Sequence, residues 1–141
     1  MFSYSVKFIC GQNAQTTQPC TPVRQGIYAT EINSHNFHRD QTAQIDKRVL
    51  LVVQNDAPVG REPRVAQAKH FDTIALPPDS ATMDDCCHFA EKLQFNPAQL
   101  NIGFLELVST VELNVVAVYT ATDLKSGGIS IEVETIGVRQ I

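Results

Sequence analysis

Apolar and polar residues alternate from the first positions of the chain. Phe2, Tyr4, Val6, Phe8 and Cys10 share one face of an extended segment, and Ser3, Ser5, Lys7 and Ile9 share the other. That period of two is the signature of a half-buried strand over residues 2–10. Further strands are predicted at 27–33, at 43–54 (ending in the run VLLVVQ) and at 65–76. Pro77 and Pro78 stop the last of these, because neither has an N–H for a sheet ladder. Residues 11–25 read as a loop, 34–41 as a polar turn carrying His35 and His38, and 55–63 (NDAPVGREP) as a hairpin-type connection. The most apolar and β-branched stretch is GFLELVSTVELNVVAVYTAT at 103–122. It predicts strands at 103–108 and 112–121 joined by a tight turn at Ser109-Thr110. The second is apolar on both faces, with Leu113, Val115, Ala117 and Tyr119 on one and Val116 and Val118 on the other, so the pair reads as a central hairpin. A Gly-rich turn at 124–128 leads to a closing strand at 129–136. Its alternation is expected to place Ile129, Ile131 and Val133 inward and Ser130, Glu132 and Glu134 outward.

Between 79 and 97 the period changes. Met83, Cys86, Cys87, Ala90 and Leu93 recur at helical spacing, with Asp84, Asp85, His88, Glu91 and Lys92 on the other side. Thr82 is the expected N-cap, with Asp85 three residues on as a capping-box acid, and Asn96-Pro97 ends the segment. This predicts one short helix over 83–93. Seven or so strands, one helix and no strand–helix alternation point to an all-β class: an antiparallel β-sandwich, jelly-roll-like, formed by residues 1–141 as one domain.

Composition narrows the setting. At 141 residues the chain is long enough for one domain with a real core. Hydrophobic residues make up 43% and charged residues 18%, an ordinary globular balance with few charges, which favours an oligomer. The net charge of -4 supplies no bulk attraction for nucleic acid or anionic lipid. No apolar run reaches the ~18 residues of a bilayer span, and MFSYSVKFIC lacks the basic start and unbroken apolar stretch of a signal peptide. The expectation is a cytoplasmic protein without membrane insertion. A Cys10–Cys20 bridge is within geometric reach but out of keeping with a reducing compartment.

Three groups of residues offer chemistry. Asp84-Asp85-Cys86-Cys87-His88 gathers metal-ligand types in five positions. Adjacent cysteines diverge on a helix, however, and structural zinc wants pairs two to four residues apart, so the favoured reading is that Cys86 and Cys87 are small core residues. A thiol enzyme with Cys87 as nucleophile would need a base from another strand, His35, His38 or His70. The polar turn sets His35 and His38 beside Asp40, and a metal set of His35, His38, His70 and Cys87 is the candidate to check. Arg61 and Arg64, with Lys69 and Arg48 near, are candidates for contact with an anion or an acidic partner. No aromatics are interleaved among them, which argues against a nucleic-acid platform. No phosphate-binding, dinucleotide-binding or nucleophile-elbow motif occurs.

Three passages carry a resemblance: GIYATEINSHN at 26–36, IALPPDSATMDD at 74–85 and GFLELVSTVELNVVAVYTA at 103–121. In this order they resemble small bacterial β-sandwich proteins and are distantly similar to the soluble sensory-rhodopsin transducer family. The resemblance implies a small cytoplasmic β-sandwich oligomer that binds partners and has no catalytic site; it transfers no binding residues. The helix at 83–93 and the closing strand depart from that pattern.

The expected function is therefore non-enzymatic, without a cofactor, through homo-oligomeric assembly and binding of a protein partner. An edge strand, 2–10 or 129–136, would pair with a second copy. A small-ligand- or metal-binding module and a thiol-dependent enzyme are the alternatives.

Overall fold

The computed structural model describes residues 1–14 and 20–141. Among the described residues nine strands and one helix are formed: β1 (Phe2–Asn13), β2 (Gly26–Asn36), β3 (Ala43–Val53), β4 (Lys69–Leu76), β5 (Ser80–Asp85), α1 (Cys86–Leu93), β6 (Asn101–Ser109), β7 (Asn114–Thr122), β8 (Ile129–Thr135) and β9 (Arg139–Gln140). The hydrogen-bonded path runs β4-β3-β6-β1-β2-β7-β8, with β5 on β2 and β9 on β1. Every pairing is antiparallel.

The path folds over at β1. Residues Phe2 to Cys10 pair with β6, and Gly11 to Asn13 pair with β2. Gly11 makes the switch at φ 95, where a Cβ would also meet the Gln99 carbonyl oxygen at 1.8 Å. Two layers result, β4-β3-β6-β1 and β5-β2-β7-β8, and the all-β sandwich expected from the sequence holds. Their inner faces share one core of Tyr4, Val6, Phe8, Ile45, Val49, Leu105 and Leu107 from the first layer and Ile32, Val115 and Ala117 from the second. Gly103 pairs with both Phe8 and Leu51. Its missing side chain leaves room for the Phe8 ring, which stacks on Phe89 of α1 at 4.4 Å.

Several expectations are corrected. β6 and β7 do not form a hairpin. β6 lies between β1 and β3, and β7 between β2 and β8, so the segment at 109–113 arches from one layer to the other. The Thr110 N–H and hydroxyl bond to the Gln44 carbonyl and N–H, which ties the arch to β3. The helix begins at Cys86, because residues 80–85 pair with β2 as β5. Asp85, not Thr82, is the N-cap, accepting from the His88 N–H. Phe89 is the buried residue of α1, and Met83 and Cys87 are exposed rather than on an inner stripe. Cys86 is joined to Cys10 in a disulfide, and Cys20 is free. β2 runs through His35, β1 extends to Asn13 into the expected loop, and residues 65–68 lie outside β4. Part of the expected loop over 11–25, residues 15–19, lies outside the described residues.

Candidate functional site

β8 ends the second layer, and all seven of its residues are exposed. The sequence reading had its faces reversed. Glu132 pairs with Tyr119 and Glu134 with the buried Ala117, so both carboxylates lie on the inner face of the layer. Ile129, Ile131 and Val133 point outward at 69%, 68% and 64% exposure. The alternation was legible, but only the register with β7 decides its direction. The backbone polarity of the strand is fixed by its flanks. Ile136 donates its N–H to the Val115 carbonyl, and the Gly128 carbonyl accepts from Asp123. Even-numbered residues therefore turn their N–H and C=O toward β7, and Ile129, Ile131, Val133 and Thr135 turn theirs to the open side. An edge of this kind is usually blunted by lysine, proline or a bulge. β4, at the other end of the path, has a register shift at Lys47/Arg48 and a 3.7 Å ion pair from Asp72 to Lys92 of α1. β8 has no lysine, proline or bulge, and the charges it carries, Glu132 and Glu134, lie on its inner face.

The inner face of β8 overhangs the first layer and leaves a groove of about 630 Å³ lined by Lys7, Ile9, Tyr28, Tyr119, Glu132 and Glu134 among others. Along its floor, the free side of β1 is closed by side chains. The Tyr119 hydroxyl donates to the Lys7 carbonyl at 2.8 Å. Thr30 accepts from the Ile9 N–H at 2.9 Å and donates to its carbonyl at 3.0 Å. Strand 2–10 is therefore not an open edge: β9 covers Phe2 and Ser3, β2 takes over at Gly11, and hydroxyls fill part of the gap between. Burial raises the Tyr119 phenol to about 12, with Glu134 and Glu132 adding to it. Burial also lowers the Lys7 ammonium, which lies 4.6 Å from the Phe104 ring centroid.

A second cluster sits inside the sandwich. Lys47 of β3 and Asp84 of β5 meet at 2.8 Å with side chains 2% and 1% exposed. The other Asp84 oxygen is 2.9 Å from Nδ1 of His88, which is half-buried and meets the Phe71 ring edge-on. The carboxylate thus serves two cationic or N–H partners, as a desolvated acid requires. Sequence reasoning missed Lys47, although the signal was present: it falls in the inward register Ala43, Ile45, Lys47, Val49.

The residues singled out beforehand are dispersed. His35 lies on β2, 3.8 Å from Asp79. His38 Nε2 is 2.9 Å from the Glu112 carbonyl, and its ring stacks on Phe37. His70 is 3.3 Å from Asp46 on the β3–β4 edge, and Cys87 is exposed on α1. Among the described residues no group of three or more His, Cys, Asp or Glu side chains is placed to hold a metal ion, so these four do not form a joint site. Arg61 and Arg64 are exposed in the β3–β4 connection, where Arg64 donates to the Pro58 carbonyl. Arg48 is paired with Glu106 instead of joining them. No helix among the described residues is long and apolar enough to cross a membrane.

No family model matches the chain, and no curated protein matches it. It is similar to a crystal structure of Thermotoga maritima 1070 at 11% identity and a TM-score of 0.49, over 94% of this chain and 92% of that one.

Proposed function

We propose that this chain is a non-enzymatic, cytoplasmic β-sandwich that works through homo-oligomeric assembly and partner binding, with β8 as the assembling edge. One observation carries the reading: an edge strand without lysine, proline or a bulge, exposed at every residue, holds Ile129, Ile131 and Val133 in water at 64–69% exposure. Exposed β-branched residues beside unpaired backbone groups are a template for another strand. The distant similarity to sensory-rhodopsin transducers belongs to the same proposal. The cytoplasmic part of it meets one opposing fact, the Cys10–Cys86 bridge, since reducing compartments keep such pairs as thiols. Alkylation of thiols before cell lysis, read by mass spectrometry, decides the compartment: a bridge already closed in the cell removes it.

Light scattering after size exclusion tests the assembly. The expected mass at micromolar concentration is at least twice the 15.6 kDa of the chain. Ile131→Lys is expected to return the monomer mass with the circular dichroism of the native fold. A monomeric native chain overturns the reading.

The groove favours a second reading, a small-ligand module. Tyr28, Tyr119 and Ile9 offer apolar walls, and Glu132 and Glu134 would face a cationic group. Titration calorimetry with tryptamine, against indole-3-acetate as the charge-reversed control, examines it. Equal or absent heats for the two remove this second reading.

A further inference from the structure

We propose that two copies of this chain join their β8 strands antiparallel about a two-fold axis through Ile131, so that the second layer continues from one copy into the other. The inference rests on the assembly reading above and specifies its register. The open side of β8 presents the N–H and C=O of Ile129, Ile131, Val133 and Thr135, for the reason given by the Ile136 and Gly128 hydrogen bonds. Opposite residues in an antiparallel pair lie on the same face of the sheet. A two-fold pairing of one strand with itself must therefore be centred on a residue, which leaves few registers.

Charge chooses among them. Centring on Glu132 sets Glu132 against the second copy's Glu132. Centring on Val133 sets Glu132 against the second copy's Glu134, twice. Like charges directly opposite destabilise a pair. Centring on Ser130 confines strand-to-strand pairing to 129–131 and runs the rest of β8 along the Gly-rich turn. Centring on Ile131 pairs 129–133 of each copy. Ile131 meets Ile131, Ile129 meets Val133, and Ser130 meets Glu132, hydroxyl to carboxylate. Glu134 falls opposite Gly128, which has no side chain. The odd-numbered pairs exchange both backbone bonds, and the apolar side chains stand together on the outer face. On the inner face the two grooves run together, with Ser130 and Glu132 of both copies at the junction.

Cysteine cross-linking tests the register in a Cys20→Ser, Cys87→Ser background, which removes the exposed free thiols. Ser130→Cys and Glu132→Cys variants are oxidised separately and as an equal mixture. The mixture is expected to give roughly tenfold more covalent dimer than either variant alone. Non-hydrogen-bonded opposite residues lie about 4.5 Å apart at Cα, close enough to bridge, while identical residues are offset along the strands. Efficient cross-linking of Glu132→Cys alone overturns the register in favour of the Glu132-centred one. A native dimer by light scattering with no cross-link in the mixture overturns the register and leaves assembly standing; a native monomer overturns both. Amide exchange on the unmodified protein gives an independent measurement. Ile129, Ile131 and Val133 amides are expected to be protected at dimer concentrations and to lose protection on dilution. Fast exchange at all three in the dimer overturns the proposal.

Discussion

The Tyr119 hydroxyl donates to the Lys7 carbonyl across the gap between the two layers, at 2.8 Å. This bond does the work of a missing strand: it satisfies a β1 carbonyl that has no sheet partner on that side. Tyr119→Phe removes the donor and leaves the carbonyl to the groove. The expected loss is about 1 kcal/mol, the ordinary net value of such a bond. It should appear as a lower urea midpoint at unchanged slope. An unchanged midpoint would mean that solvent replaces the phenol without cost.

The same phenol makes stability depend on alkaline pH. Burial, then Glu134 and Glu132, raise it from 10 to about 12. The folded state therefore holds the proton more tightly than the unfolded chain. This contribution is complete below pH 10 and is lost as the pH rises through about 12. Tyr4 and Tyr28 are also raised by burial, so the comparison must be with Tyr119→Phe. That variant is expected to lose less stability than the native chain across the window. A Glu132→Gln, Glu134→Gln variant should bring the phenolate absorbance of Tyr119 up at lower pH, because two repelling charges are gone. Parallel stability curves for native protein and Tyr119→Phe would contradict the assignment.

Lys47 and Asp84 form a buried pair whose value lies in not being broken. Asp84→Asn leaves a desolvated ammonium without its counter-charge, and the expected cost is about 3–5 kcal/mol. Lys47→Met, Asp84→Leu replaces both charges by apolar groups of similar size, and His88, half-exposed, regains water as its partner. The double variant should be more stable than Asp84→Asn alone. Urea midpoints of Lys47→Met alone, Asp84→Leu alone and the double variant close the cycle. Strict additivity would show that the two side chains are uncoupled.

The buried face of most strands was legible in the sequence because alternation reports it directly. Phe2 to Cys10 and Ala43 to Val49 sit as their pattern requires. What alternation omits is the partner. The apolar run at 103–122 announced two strands but not that Thr110 would tie their connection to Gln44 and send them to different layers. For β8 the pattern was right and its sense wrong. Glu132 and Glu134 face inward because the second layer overhangs the first, so the inner side of an end strand still meets water. Reading Thr82 as the N-cap starts the helix too early: residues 80–85 pair with β2, and Asp85, expected as the capping-box acid, is itself the N-cap. The Lys47–Asp84 pair joins strands far apart in sequence, which no local pattern can bring together.

The Cys10–Cys86 bridge links the point where β1 changes layers to the first residue of α1, across a sequence separation of 76. A cross-link of that span removes much freedom from the unfolded chain and holds α1, with Phe89 on Phe8, against the core. Its reduction is expected to cost about 2–5 kcal/mol. Cys86→Ala should match the reduced protein, since Cys87, one residue on, is a free and exposed thiol. Thermal midpoints with and without reductant measure the effect on native protein and variant together. The native midpoint should fall to that of Cys86→Ala, and the variant should not respond. A native midpoint indifferent to reductant would mean that the two thiols are not joined in solution, and that the core holds α1 without them.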